Sequence, residues 1–523
     1  SSQFCSPASL SAHLDSLSSV AAMVQSCTDP MMSEAAMKYL LTRPSVPAPL
    51  EPNFCPFVLG KRKYMKHIAE SSQLGAVSEL SFVVERPGGC FGRDKLPVFA
   101  ETHEGFDASV FIAGEAIRYM IWQRGGFKLL LSGPAKICEV LKEAFSPTGK
   151  YAFEATTMPK IYKEPWIVGI VSEKELPANK DVPVICGKEA TGCRIAFDLG
   201  KSDVKCVAVK DGEVIDSAET EWDVTNPDPQ YHYDVIVKAM KTIAAKLPGP
   251  IEAIGGSATG TISADNEATW CDIFPNVPPD VYKEKVVDIF KRMAKDLCGD
   301  VPLKVINDGE VTALAAFQKI KKGNIMGISM GSSEGAGYAN KDGNLLGWIN
   351  ELCYVRLDLN PKAPTDPWTK GAHTGLSHLY LGQRGATKLA VKGGVEVPDT
   401  YKFSHPDMRT IKHEHHAQCL KLIQKAMTDT DAEKKAQCTK IYETCGVYLG
   451  YALGQYCEFY DIDHVMILGR VSKGEGGDIM LETAKKVLQE EFPEYSKIEF
   501  HTADDHFKGV GQCIAAAALP EIK

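Results

Sequence analysis

The chain has 523 residues, of which 44% are hydrophobic and 24% charged, and its formal net charge is −9 at pH 7. This is ordinary globular composition at a length that allows roughly three domain-sized units. The charge is modest and forms no block, which argues against nucleic acid or an anionic membrane as the main partner, and no apolar run approaches the ~18 residues of a membrane span. The cysteines, 16 in all, are scattered from Cys5 to Cys513 without a C-x-x-C pair. That pattern reads as buried or free thiols in a reducing, cytoplasmic compartment rather than a disulfide framework.

The first fifty or so residues are rich in Ser, Ala and Pro, with a short helix predicted over Met31 to Leu41. They read as an extension, either wrapped on the surface or left from a processed leader, although Arg is too sparse for a transit peptide. From about Val77 an α/β pattern begins: strand and turn LSFVVERPGG, strand LPVFAET, a helix around Ser109 to Trp122, strand FKLLLSGP and strand EPWIVGIVS. Trp122 to Gly126 reads as a tight helix-to-strand turn, and Lys188 to Gly192 as a linker. Nothing in this unit names a chemistry.

After Arg194 apolar residues recur at helical spacing from Ile236 to Leu247 and from Val286 to Leu297. Between them stands a strand with a small-residue loop, IEAIGGSATGTI; then PLKVINDGEVTALAAF passes from strand straight into helix at Asn307-Asp308. A second β-rich block, GNIMGISMGSSEGAGYANKDGNLLGW, reads as three strands divided by Gly-rich and Asp-Gly turns. A loop-rich insertion from Asn360 to Thr430 follows, then a helix through YETCGVYLGYALGQYCEFY, strand HVMILGR, a helix from Gly476 and a final helix from Gly509.

The segment RIAFDLGKSDVKCVAVKDGEVI (Arg194 to Ile215) has the form of a phosphate-binding hairpin. An apolar strand ends at Asp198, and a second strand closes on Asp211-Gly212, a dipeptide favoured by tight hairpins. Gly200 lets the backbone approach a ligand closely, Ser202 offers a hydroxyl, and Asp198 can hold a hydrated Mg²⁺. Strand–Asp–Gly–strand hairpins also serve as plain structure, so these residues alone leave both readings open. Two such hairpin blocks, each followed by helix and strand, imply two similar α/β lobes with a cleft between them.

In the order of these motifs the chain resembles the sugar-kinase branch of the actin, chaperone-ATPase and hexokinase superfamily, and specifically the ROK family of repressors, open-reading-frame proteins and kinases. The resemblance runs from Arg194 to about Leu519. DLGKSDVK stands at the first phosphate loop, SMGSSEGAGY at the second, VINDGEVTALAAF at the Asn-Asp motif and VMILGRVSKGEGGDIM at the adenosine loop. It implies an α/β, two-lobed, duplicated ribonuclease H-like (actin-like ATPase) fold with an extra N-terminal α/β domain. The expected layout is an extension over 1–76, the extra domain over 77–190, lobe I over 191–322 and lobe II over 323–523.

The function implied is an ATP-dependent carbohydrate kinase that moves the γ-phosphate to a hydroxyl of a sugar or sugar derivative, with ATP and Mg²⁺ as cofactors. Asp308 is then the general base, against the plain reading of a helix N-cap. Asn307, Glu351, Ser257 and Thr259 are expected at the sugar, with the loop Gly255 to Thr261 forming one wall of its site. Gly200, Lys201, Ser202, Lys205, Gly331, Ser332 and Ser333 are expected at the phosphates, and Gly469 and Arg470 at the adenosine. Asp198 is expected to hold Mg²⁺ through water. Family likeness is also compatible with a homodimer.

Three departures stand against the family pattern. Lys201 replaces the second glycine of Asp-x-Gly-Gly-Thr, and Tyr354 stands where a histidine follows the family's Glu. The Cys-rich zinc loop is absent, so no structural zinc is expected. His405, His413, His415, His416 and Cys419 have spacing that suits one helix face poorly, and a solvated helix is the simpler reading. The N-terminal unit shows no helix-turn-helix, which disfavours a repressor. The alternative to a kinase is therefore a non-catalytic nucleotide- or sugar-binding sensor or scaffold, blunted by Lys201 and Tyr354.

Overall fold

The computed structural model describes residues 32–72, 75–184, 190–201, 203–271, 273–366, 369, 373–399, 413–503 and 505–522. Ser33 opens the first helix, α1 (Glu34–Leu40), by accepting a hydrogen bond from the Ala36 amide, and α1 buries Met37 and Leu40. The chain then reaches α2 (Phe57–Ser72) through a segment stitched to the far end of the sequence: Phe57 N donates to Leu357 O, and Leu359 N to Cys55 O. The described part of the first fifty or so residues, expected as a surface extension or a processed leader, thus enters the core, with Met37, Leu40 and Phe54 buried. Residues 1–31, including most of the anticipated leader, lie outside the described residues.

The N-terminal α/β unit follows. Strands β1 (Val77–Arg86) and β2 (Cys90–Phe99) form an antiparallel hairpin around Pro87-Gly88-Gly89, and α3 (Phe106–Arg124) leads to β3 (Lys128–Ser132). Helices α4 (Ala135–Ala144) and α5 (Ala152–Tyr162) precede β4 (Ile167–Ile170), giving the order β2-β1-β3-β4. Helix α3 is buried on nearly every side, because lobe II covers the face that the sheet does not. A buried ionic cluster joins the two. Arg118 donates to Glu115 and Glu154, Arg356 Nε lies 3.3 Å from Glu115, and Trp122 Nε1 donates to Glu154. Burial works against the Glu115 charge, but Arg118 and Arg356 outweigh it and hold its pKa down at about 2.

In lobe I, β5 (Cys193–Leu199), β6 (Asp203–Lys210) and β7 (Glu213–Glu221) form an antiparallel meander, followed by α6 (Pro229–Ala244). Strand β8 (Ala253–Ala258) returns parallel to β5. A small ribbon, β9 (Thr261–Ile262) with β10 (Ala268–Trp270), and helices α7 (Pro279–Lys285) and α8 (Ile289–Cys298) lead to β11 (Leu303–Asn307), parallel to β8. The order is β11-β8-β5-β6-β7. Helix α9 (Asp308–Ile320) then crosses to lobe II, where β12 (Ile325–Met330) and β13 (Glu334–Ala339) form the second hairpin.

The third strand expected after that hairpin is not formed. Leu345 makes only an isolated bridge to Val184 of the segment leading out of the N-terminal unit, so the backbone bonds a third strand would need are directed there instead. Within the insertion lie α10 (Gln383–Leu389) and α11 (His413–Ala426), ahead of the long α12 (Ala432–Tyr456). Strand β14 (His464–Leu468) pairs parallel with β12, and after α13 (Gly474–Glu491) the short β15 (Glu499–His501) pairs parallel with β14. The closing helix is α14 (Asp505–Ala517).

The same plan therefore occurs twice: a hairpin whose first strand gains two parallel strands on its other edge, in lobe I as β11-β8-β5-β6-β7 and in lobe II as β13-β12-β14-β15. This is the two-lobed, duplicated ribonuclease H-like fold of actin-like ATPases, with an extra N-terminal α/β region. Lobe I keeps its own core, lobe II shares one with the N-terminal unit, and a third, around α9 and α14, fills the space between the lobes. Among the described residues every cysteine is free, and no helix is long and apolar enough to cross a membrane.

Candidate active site

The two hairpin turns open onto one cleft between the lobes. In lobe I, Gly200 N donates to Asp203 O at 3.1 Å, and Trp222 Nε1 pins the turn from behind by donating to Gly200 O. In lobe II, Gly331 N donates to Ser333 O at 3.1 Å, and Gln383 N pins the turn by donating to Gly331 O. The two glycine N–H groups are thus used to close the turns. What the glycines provide is room, since a Cβ added at Gly200 or Gly331 would meet nothing closer than 3.6 or 3.9 Å. Lys201, Ser332 and Ser333 all line the cleft beside these turns. Ser202 lies outside the described residues.

Charge of both signs is concentrated around these turns. Lys205 Nζ sits 3.0 Å from Asp203 and 3.6 Å from Asp198. Burial opposes the Lys205 charge, but the two carboxylates outweigh it and raise its pKa. Burial likewise raises the pKa of Asp198 against the pull of Lys205. From lobe II, Arg470 reaches over to Asp203 at 2.7 Å and Glu219 at 3.1 Å. Arg384, in α10, donates to His378 Nδ1 at 2.8 Å, and His378 Nε2 lies 2.7 Å from Asp366. Because arginine can only donate, His378 Nδ1 is the acceptor and Nε2 carries the proton given to Asp366. Burial lowers the His378 pKa against Asp366, with Arg384 and Lys201 adding to the decrease.

Asp308 begins the helix that crosses between the lobes. The helix is capped not by Asp308 but by Asn307, whose Oδ1 accepts from Gly309 N at 2.7 Å. Asn307 Nδ2 donates to Gly260 O at 2.7 Å and to Glu351 at 3.3 Å, so both ends of that amide are engaged by the protein. The Asp308 carboxylate accepts from Thr259 Oγ1 at 3.0 Å and from Gly309 N at 3.0 Å. On the lobe II side stands Gly335, where an added Cβ would come to 3.9 Å from that carboxylate. Two other glycines of this region serve packing: a Cβ on Gly337 would lie 2.0 Å from Gly309 O, and one on Gly309 2.1 Å from Ala336 O. This close approach brings Asp308 up against the second hairpin.

Of the residues singled out from sequence, Asp198, Gly200, Lys201, Lys205, Thr259, Asn307, Asp308, Gly331, Ser332, Ser333, Glu351, Gly469 and Arg470 all line this cleft. Ser257 does not. It lies inside β8, fully buried beside Asp198 on the neighbouring strand, as the strand's buried pattern requires. Gly255 and Gly256 are also strand residues, packed against Ala516 and Phe197, so the expected wall shrinks to Thr259 and Gly260. Gly469 adopts φ 93° with its Cα against the Met330 backbone, a conformation and a space that both exclude a side chain. Tyr354 packs its ring 4.5 Å from Trp122. In α11, His416 and Cys419 are buried, so the helix is packed rather than solvated; His405 and the His413 side chain are outside the described residues.

Sequence reasoning missed Asp203, Glu334, Gly335 and the Asp366–His378–Arg384 chain. Asp203 stands within DLGKSDVK, and Glu334 and Gly335 within SMGSSEGAGY, so these three carry a local signal. The other chain carries no local signal, since its members come together only through the fold of the insertion.

No protein-family model and no curated protein sequence matches the chain. Solved structures do. A ROK family glucokinase from Streptomyces griseus, in complex with glucose and AMPPNP, matches with TM-score 0.45 and 17% identity over 62% of this chain and 98% of its own. The ROK hexokinase from Thermus thermophilus gives 0.44 and 16% over 62% and 97%. A hexokinase from Schistosoma mansoni complexed with glucose gives 0.40 and 11% over 65% and 88%. The structures it resembles are ROK-family and hexokinase-type sugar kinases. At these values the likeness is one of overall fold, which the duplicated strand order already establishes from this chain alone.

Proposed function

We propose that the protein is an ATP-dependent kinase that phosphorylates a hydroxyl of a sugar or sugar derivative. The observation that supports this best is the setting of Asp308. Its carboxylate is held by Thr259 at the end of a strand and by the Gly309 amide that it shares with the cap residue Asn307, and it lines a cleft onto which both hairpin turns open. In that position it accepts the proton of the acceptor hydroxyl as that oxygen attacks the γ-phosphorus and the bond to the β–γ bridging oxygen breaks. Thr259 keeps the carboxylate aimed, and Glu351, steadied by Asn307, takes hydrogen bonds from neighbouring sugar hydroxyls.

The turn residues Lys201, Ser332 and Ser333, with Arg384, meet the phosphates, and Gly469 and Arg470 border the adenosine. The buried Asp198 carboxylate suits a hydrated Mg²⁺, since Lys205 beside it is already shared with Asp203. Mg²⁺ bound there would offset phosphate charge.

The test is a thermal-shift screen with Mg²⁺-ATP, Mg²⁺-ADP and a panel of sugars, with ADP release followed in parallel. A ligand at 100 times its Kd adds about 2.7 kcal/mol of stability. Stabilisation by nucleotide plus one sugar, with ADP released and with turnover at least ~10²-fold lower in Asp308→Ala, is the expected result. Nucleotide binding without turnover on any sugar would instead establish a sensor or scaffold, and equal turnover in the variant would remove Asp308 from the chemistry.

A further inference from the structure

The parallel pairing of β14 with β15 sets His464 opposite Glu499 and Met466 opposite His501. Side chains two apart on one strand, and directly opposite on the next, share a face. His464, Glu499 and His501 therefore converge on one spot. His464 Nδ1 lies 3.2 Å from His501 Nε2, and Glu499 Oε2 lies 3.6 Å and 3.7 Å from those two nitrogens. Among the described residues this is the group of three His, Cys, Asp or Glu donors close enough to share one ion.

The triangle has the dimensions of a metal site. Zinc–nitrogen and zinc–oxygen bonds of about 2.0–2.1 Å at tetrahedral angles separate neighbouring donors by about 3.3–3.4 Å. We infer that His464, Glu499 and His501 bind one borderline divalent transition-metal ion, Zn²⁺ first, with the fourth position open to solvent. Two imidazoles and one carboxylate are the donor set such an ion favours over Mg²⁺ or Ca²⁺. The imidazoles are mostly buried, with side chains 13% and 20% exposed, so they are preorganised, while Glu499 is half exposed and keeps the site open. The site is separate from the cleft: His464 starts β14, and about 13 Å of strand at ~3.3 Å per residue lies between it and Leu468, next to Gly469. An ion here would tie the three-residue edge strand β15 to β14.

One group competes for the same carboxylate. Lys322 Nζ lies 2.7 Å from Glu499 Oε2, so binding must displace or share that contact. This supplies a test that moves in both directions. The purified full chain, without an affinity tag and stripped of metal, is titrated with Co²⁺ and, by chelator competition, with Zn²⁺. One Co²⁺ per chain is expected, with visible ligand-field bands of tetrahedral strength and no thiolate charge-transfer band, which separates this site from the cysteines. His464→Gln and His501→Gln should each weaken Zn²⁺ at least ~100-fold, more than the loss of an outer-shell partner. His416→Gln should leave it unchanged. Glu499→Gln, at a half-exposed position, should weaken binding, and Lys322→Ala should tighten it. Absence of saturable binding, a thiolate band, or affinity indifferent to His464, His501 and Glu499 would overturn the inference.

Discussion

The Arg470 guanidinium of the second lobe donates to the Asp203 carboxylate of the first at 2.7 Å, across the mouth of the cleft, while Lys205 holds the other oxygen of that carboxylate at 3.0 Å. Asp203 thus stands between a buried cation of its own lobe and a half-exposed cation of the other. The pair latches the lobes beside the phosphate turns. With the Arg470 side chain 40% exposed, its worth in stability is small, but its position on the path of a nucleotide is direct.

Arg470→Ala is accordingly expected to leave the melting temperature nearly unchanged, within about 0.5 kcal/mol, and to weaken ATP binding roughly tenfold. Calorimetric titration with Mg²⁺-ATP, at low and high salt, checks this. A loss of stability with unchanged nucleotide affinity would make the pair purely structural.

Asn307 and Asp308 are neighbours with separable duties. Asn307→Ala removes the helix cap and the Gly260 and Glu351 contacts, and should cost about 1–2 kcal/mol in urea unfolding. Asp308→Asn keeps the shape and loses the base, so turnover should fall at least ~10²-fold with nucleotide affinity within a few fold. If both variants lost stability alike and turnover alike, the division of roles would be wrong.

The glycines of the second hairpin divide in the same way. Gly337→Ala drives a methyl group into the Gly309 carbonyl and should destabilise by about 1–3 kcal/mol. Gly335→Ala places its methyl at ordinary contact distance from Asp308 and should spare stability while lowering kcat, because it fills the space before the carboxylate. Thermal melts and ADP-release kinetics on the two variants distinguish these outcomes.

Glu334 gives the molecule a pH signature. Burial pushes its pKa up from 4.5 to about 7, although Ser377 and Tyr456 donate to it. The folded state therefore holds a proton that the unfolded state has lost. The stabilisation is fully present below pH 4.5 and disappears as pH rises toward 7. Glu115 acts oppositely: with its pKa near 2, its contribution is present above pH 4.5 and is lost as pH falls toward 2. Burial also raises Glu310 to about 7 and Asp358 to about 6, so urea unfolding across pH 4.5–7 should show a decline that Glu334→Gln reduces in part, and an unchanged slope in that variant would reject the assignment.

Much of this could be read directly from residue order. The apolar run ending at Asp198, the Asp211-Gly212 turn, the break from strand to helix at Asn307-Asp308 and the glycine-rich GISMGSSEGAGY block each carry a local pattern, and their order implied two hairpin lobes around a cleft. The same patterns misled at Ser257, where a small polar residue in a loop-like run is an interior strand position, and at Leu345, where a third strand was expected. They also misled at the N-terminal segment, whose Ser, Ala and Pro content hides the buried Met37, Leu40 and Phe54.

Periodicity, turn dipeptides and strand-to-helix breaks are enough to specify the elements and their sequence along the chain, because those preferences act within a few residues. Partnership at long range needed the folded molecule. Arg470 meets Asp203 from 267 positions away, Arg118 shares a buried cluster with Arg356, and His464 faces His501 only through the register of two parallel strands. No single stretch carries a trace of these meetings, since each depends on how two packed layers settle against each other and not on the preferences of either one.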